Sequence, residues 1–163
     1  VRPISDLQIE YSLMSRGVER DILATCRELG IGVTAYGVLS RGLIGGHWTK
    51  SSADDGDFRS IHPRFAEANL DRNLALVETL RGVADELEVS VAQAAIAWVA
   101  SRGADIVPLI GARTRTRLTE ALGAVDVALA DDQLARIEAA VPAEQVAGER
   151  YPAAHMAALD SER

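Results

Sequence analysis

Ile31-Gly32-Val33-Thr34-Ala35-Tyr36 is a compact, mostly apolar run that passes straight into Gly37-Val38-Leu39-Ser40-Arg41-Gly42. A short apolar run bounded by glycine reads as a buried strand that ends in a glycine-rich turn. Upstream, Glu19 to Leu29 places Ile22, Leu23, Cys26 and Leu29 at helical spacing, with Glu19 and Asp21 early and Arg27 late, and Gly30 stops it. Before that, Leu7-Gln8-Ile9-Glu10-Tyr11 alternates apolar and polar residues with the period of a strand. Strand, helix and strand in so few residues imply a parallel pair joined by a right-handed crossover.

Downstream, residues 45–63 are polar and turn-rich, Ser51 to Asp57 above all, and read as a long surface loop. Helical periodicity returns from Ala66 to Leu87, and again from a capping Ser90 through Trp98 and Val99. Asp105 to Ile110 is a third strand, which Pro108 keeps from a fully bonded interior position. Two helices follow, Arg115 to Gly123, closed by that glycine, and Asp131 to Val141, before a polar tail with Tyr151-Pro152. The succession of βα units makes an α/β domain over residues 1–163, built as a doubly wound sheet or as a barrel.

Composition narrows the function. The chain has 163 residues, 48% hydrophobic and 25% charged, with a net charge of -7. That balance opposes a nucleic-acid partner, since a phosphate backbone is held by clustered cations. No run approaches the ~20 apolar residues of a membrane span, and the start lacks a signal-peptide layout, so a cytoplasmic protein without a membrane partner is expected. Cys26 is the single cysteine, which excludes an internal disulfide. It falls on an apolar helical position and reads as a packed side chain. The opening Val1-Arg2-Pro3 leads directly into a strand and reads as a piece of something longer.

In both candidate architectures ligands gather where strands give way to loops. Those junctions are Gln8 to Ser12, Tyr36 to Gly42 and Ile110 to Arg117. Backbone amides freed by Gly37 and Gly42, with the Ser40 hydroxyl, suit a pyrophosphate, and Arg113, Arg115 and Arg117 at a helix start suit a terminal phosphate. Tyr36 offers a flat face to a ring. Neither Gly-x-Gly-x-x-Gly nor a Walker-type motif is present, which favours the barrel. Taken alone, the three arginines are a solvated helix start and Tyr36 a strand-end aromatic.

Four motifs in order change that weighing: Leu7-Gln8-Ile9-Glu10-Tyr11-Ser12-Leu13, Gly30 to Tyr36, Ser40-Arg41-Gly42-Leu43, and Val107-Pro108-Leu109-Ile110-Gly111-Ala112-Arg113. Together with the Val91 to Trp98 helix they resemble the aldo-keto reductase family. The resemblance implies a partial (β/α)8 TIM barrel, its C-terminal portion with about three parallel strands. It implies that Gln8 holds the nicotinamide carboxamide, that Tyr36 stacks on the ring, and that Gly37, Leu39, Ser40 and Gly42 line the pyrophosphate. Gly111, Ala112, Arg113 and Arg117 would surround the 2′-phosphate and ribose, and Glu120 would approach the adenine. The arginines favour NADP(H) over NAD(H), because a dianion needs paired charge. Where the family places Asn after that glutamate, this chain has Ala121.

The family's catalytic Asp, Tyr, Lys and His come from the first four strands, and none of those positions lies in this chain. The single lysine, Lys50, falls in the loop, and His47, His62 and His155 read as solvated loop or tail residues. Asp6 and Glu10 share a strand face but stand roughly 13 Å apart, too far for a carboxylate pair. The expected function is the cofactor-holding portion of an oxidoreductase that reduces aldehydes or ketones with NADPH, inactive by itself, its small carbonyl substrate needing the missing half. A non-catalytic nucleotide-binding or interaction module made from a truncated barrel, or a remnant without function, remains the alternative. Open barrel edges would favour self-association.

Overall fold

A computed structural model describes residues 2–48 and 57–159. Residues 49–56 of the stretch expected as a surface loop, Lys50 included, lie outside the described residues. The chain forms strand β1 (Asp6–Glu10), helix α1 (Ile22–Leu29), strand β2 (Gly32–Tyr36), helices α2 (Glu67–Glu86) and α3 (Val91–Ser101), strand β3 (Ile106–Pro108), and helices α4 (Arg115–Gly123), α5 (Asp131–Ala140) and α6 (Ala153–Met156).

The strands make one parallel sheet in the order β1-β2-β3, with Leu7 opposite Val33 and Val33 opposite Ile106. In-register neighbours share a face, so these side chains and Ala35 turn together toward the helices and are wholly or largely buried. Gln8, Thr34 and Val107 form the row on the other face, where Thr34 donates to Asp6 and Val107 is 61% exposed. Pro108 ends β3, which pairs with β2 only, so its missing N–H leaves no described ladder position unfilled.

The core is organised by α3. Its Ser90 and Gln93 form a reciprocal capping box, and Val91, Ala94, Ala95, Trp98 and Val99 are buried. Trp98 is fully buried against Tyr11, with ring centroids 5.4 Å apart, and its indole N–H donates to Glu138. Arg16 and Arg102 lie over the same indole and also pair with Glu138, so the polar tip is satisfied while the ring fills the core.

Three parts of the chain go beyond or against the sequence reading. The end of the long loop is partly surface, with Phe58 and Ile61 exposed, but His62, expected as a solvated loop residue, is buried, as is Arg64, by 3-10 turns at Phe58–Ile61 and Pro63–Phe65. Arg64 reaches Ser15 and the Met14 carbonyl, and these bonds hold it inside. Helix α4 ends at Gly123 as expected, but without a left-handed cap. The φ of Gly123 is -60°, and what its lack of a Cβ permits is the approach of the Gln93 amide, 2.5 Å from where that atom would stand. The polar tail after α5 is pinned to the fold, because Asn73, fully buried in α2, exchanges hydrogen bonds with both the N–H and the carbonyl of Ala147.

Candidate functional site

The C-terminal ends of β2 and β3 open onto a cleft of about 630 Å³. One wall is the turn after β2. Ser40, Arg41 and Gly42 all have positive φ (47°, 58° and 94°), a conformation that only glycine adopts without strain. Arg41 is held there by its surroundings. Its guanidinium lies 4.8 Å from the centre of the Tyr151 ring and 3.9 Å from the Glu10 carboxylate, and its carbonyl accepts from Arg59. The Val38 and Leu39 amides make no backbone hydrogen bond among the described residues.

The facing wall is the segment between β3 and α4. Gly111, Arg113 and Thr114 line it, and Thr114 caps α4 by accepting from the Arg117 amide. The Gly111, Ala112 and Arg113 amides likewise make no backbone hydrogen bond among the described residues. Helix α4 therefore presents the positive end of its dipole and a set of open donors to the cleft. Arg113 is exposed and makes no ion pair among the described residues, whereas Arg117 is paired with Glu120 at 3.1 Å. Burial works against ionisation of Glu120, but hydrogen bonds from Ser90 and Arg117 and the neighbouring His47 outweigh it and hold the carboxyl below the usual carboxylate range.

Of the residues singled out from sequence, Gly37, Leu39, Gly42, Gly111, Arg113, Arg117 and Glu120 meet in this cleft. Ala121, where the family pattern has Asn, lines it as well. Gln8 and Tyr36 lie on the open sheet face leading to it, one register pair apart from each other on that face. Ala112 is exposed outside the lining. The Ser40 hydroxyl is buried and points away, 3.2 Å from that of Ser12. Arg115 is also outside the lining.

Several residues of the site are not assigned to it from sequence: Trp48 and Arg59 are not singled out, His47 reads as a solvated loop residue, and Glu10 is weighed only as a partner for Asp6. Trp48 and Arg59 form an outer wall, with the guanidinium 4.0 Å from the indole centre and tied to Asp57. Arg59 holds the Asp57 carboxyl below its ordinary range through these bonds. His47 stands at the other end of the cleft beside Glu120. Glu10 is 2% exposed and gathers Arg64 at 3.6 Å and Arg150 at 3.7 Å besides Arg41, while Ser15 donates to it at 2.9 Å. One signal was available: Glu10 sits at the C-terminal end of an alternating strand, on the same face as Gln8.

The profile of the aldo/keto reductase family matches residues 1–142. The chain belongs to that family. A relative named "Probable aldo-keto reductase 1", from Glycine max, is 40% identical over 151 residues, which is 93% of this chain and 44% of that protein. This aldo-keto reductase chain thus spans less than half the length of that relative. Among solved structures, a glycerol dehydrogenase from Gluconobacter oxydans superposes with a TM-score of 0.78 at 28% identity, over 88% of this chain and 45% of that one. A thermostable aldo-keto reductase solved with the inhibitor epalrestat gives 0.57 at 20% identity, over 83% of this chain and 39% of that one, and likeness at that level concerns the fold alone. Family membership, like the superposition, makes the fold α/β. No helix among the described residues is long and apolar enough to cross a membrane.

Proposed function

We propose that residues 1–163 form the C-terminal, cofactor-holding portion of a (β/α)8 barrel, and that the cleft takes NADP(H) in the service of a cytoplasmic reductase of aldehydes or ketones. The observation that carries this reading is the convergence of two donor-bearing walls on one cleft: the turn after β2, with its open Val38 and Leu39 amides, and the start of α4 with Arg113, which makes no ion pair among the described residues. Open amides and a planar guanidinium are the chemistry a phosphorylated dinucleotide needs. Arg113 and Arg117 would hold the 2′-phosphate, the Val38 and Leu39 amides the pyrophosphate, Gln8 the carboxamide, and Tyr36 would present its ring to the nicotinamide. When bound, NADPH supplies a hydride to a carbonyl carbon.

Proton donation in the family comes from strands that precede those matched here, so the chain on its own is expected to bind without turning over. General-acid help is worth roughly 10²–10⁴ in rate. An apolar stripe, Leu118, Leu122 and Val125, is exposed on α4 and the turn after it, with Val107 and Leu109 exposed beside β3. It favours a second reading, in which the chain acts by association as an interaction module.

A fluorescence titration of the purified chain with NADPH and NADH tests the cofactor assignment. Arg113→Ala should weaken NADPH about tenfold, the worth of one charge-assisted bond of ~1.5 kcal/mol in an exposed setting, and leave NADH unchanged. Equal NADPH affinity in the variant rejects the phosphate role. Carbonyl-dependent NADPH oxidation by the pure chain rejects the assignment of proton delivery to other strands.

A further inference from the structure

The Tyr36 ring is not free to choose its tilt. Its hydroxyl oxygen lies 3.0 Å from that of Tyr151, a residue far along the chain. Tyr151 is itself hemmed in, with the Arg41 guanidinium 4.8 Å and the Arg150 guanidinium 5.4 Å from its ring centre and the His62 ring 5.9 Å away. Arg41 belongs to the cleft wall, so Tyr151 touches the turn after β2 and the ring at the end of β2 together.

The segment that delivers Tyr151 is fixed by buried polar contacts rather than by a helix. Asn73 holds Ala147 on both sides of its peptide, Arg64 donates to the Gly148 carbonyl, and His62 Nδ1 stands 3.3 Å from the Arg150 carbonyl. The Arg150 side chain, 3% exposed, runs to Glu10, which pairs in register with Tyr36 across β1 and β2. Gly148 has φ +82° and passes so near Pro63 that a Cβ would stand 2.8 Å from its backbone carbonyl. These contacts hold the segment in one path, and that path ends on the Tyr36 hydroxyl.

We propose that Tyr151 is a positioning residue for Tyr36: through the hydroxyl pair, the buried 147–151 segment sets the orientation of the ring that meets the nicotinamide. The inference rests on the cofactor reading given above. Burial first, and then the bond to Tyr151, raises the Tyr36 hydroxyl well above the ordinary phenol range. It therefore stays protonated and able to keep the bond throughout the working pH range.

The test compares two ligands on the whole chain. NADPH carries the nicotinamide half, and adenosine 2′,5′-bisphosphate keeps only the adenine and the 2′-phosphate. Tyr151→Phe should weaken NADPH about fivefold, the worth of one neutral hydrogen bond, and leave the bisphosphate unchanged. Tyr36→Phe should reproduce that loss, and the double substitution should add nothing to either. Unchanged NADPH affinity in Tyr151→Phe overturns the inference and spares the site. Equal weakening of both ligands overturns it too, because it marks a general lesion. A wild-type chain that binds neither ligand, or NADPH no more tightly than the bisphosphate, overturns the cofactor reading itself.

Discussion

Glu10→Gln is the sharpest perturbation of the site's foundation. The carboxylate is 1% exposed in its side chain and has three guanidinium neighbours at 3.6, 3.7 and 3.9 Å. These are charge contacts longer than good hydrogen bonds, so their worth lies mainly in Coulomb attraction. Each pair is worth ~4.5 kcal/mol gross at an effective dielectric of 20, and the cost of burying the ions cancels much of that sum. Removing the carboxylate leaves the desolvation of the arginines uncompensated, and breaking such a buried pair costs about 3–5 kcal/mol. The three partners come from separate segments, the turn after β2, the Pro63–Phe65 turn and the tail, so all three should loosen together.

Urea unfolding followed by far-UV circular dichroism measures the loss. A cycle with Arg41→Met isolates the Arg41 share, expected at ~1 kcal/mol because that pair is the longest and Arg41 is the most exposed of the three. A stability within about 0.5 kcal/mol of wild type in Glu10→Gln, a difference ordinary for a surface substitution, would refute the reasoning.

Two further outcomes follow from the same region. Gly148→Ala forces a left-handed alanine and drives its Cβ against the Pro63 carbonyl, so the midpoint of thermal unfolding should fall by ~5 °C or more; an unchanged midpoint contradicts the described path of the tail. His62 is held below its ordinary value of about 6.5 by burial first and by the nearby Arg41 charge second. Its neutral form is the one the fold favours, so this contribution is complete above that value and lost as pH falls from it toward the depressed folded value. Between about pH 7.5 and about pH 5.5 the wild type should therefore lose more stability than His62→Gln, and parallel losses in the two proteins exclude the role.

The elements that were legible in the sequence are those with a period. The alternation of Leu7 to Tyr11, the apolar run at 31–36 and the 3.6-residue spacing around Leu23 and Cys26 each report a face that must be buried; both strands formed within a residue of their expected bounds, and the helix ends at Leu29 as expected but starts at Ile22, three residues after Glu19. The junction residues were legible for a related reason, since parallel strands with helical crossovers put all strand ends on one side. Residues 57–65 carry no period, and their order comes from tertiary contacts: Arg64 through Ser15 and Met14, and Asn73 through the Arg64 carbonyl. A buried polar contact of this kind leaves no trace at fixed spacing.

Ser40 shows how a motif can place a residue correctly and still misdirect its side chain. A serine beside glycine in a turn after a strand suits a phosphate by composition, yet composition is silent about the sign of φ. With φ at 47° the Ser40 backbone is left-handed, and its hydroxyl meets Ser12 in the interior while the turn keeps the open Val38 and Leu39 amides. The turn's polar interior, Ser12, Ser15, Ser40 and Glu10, is then completed by arginines from beyond β2 and from the tail. The cleft wall that the β2 motif announces thus depends for its shape on Arg64 and Arg150, residues that no local pattern connects to it. Substitutions at those arginines should therefore disturb the cleft as much as substitutions within the motif.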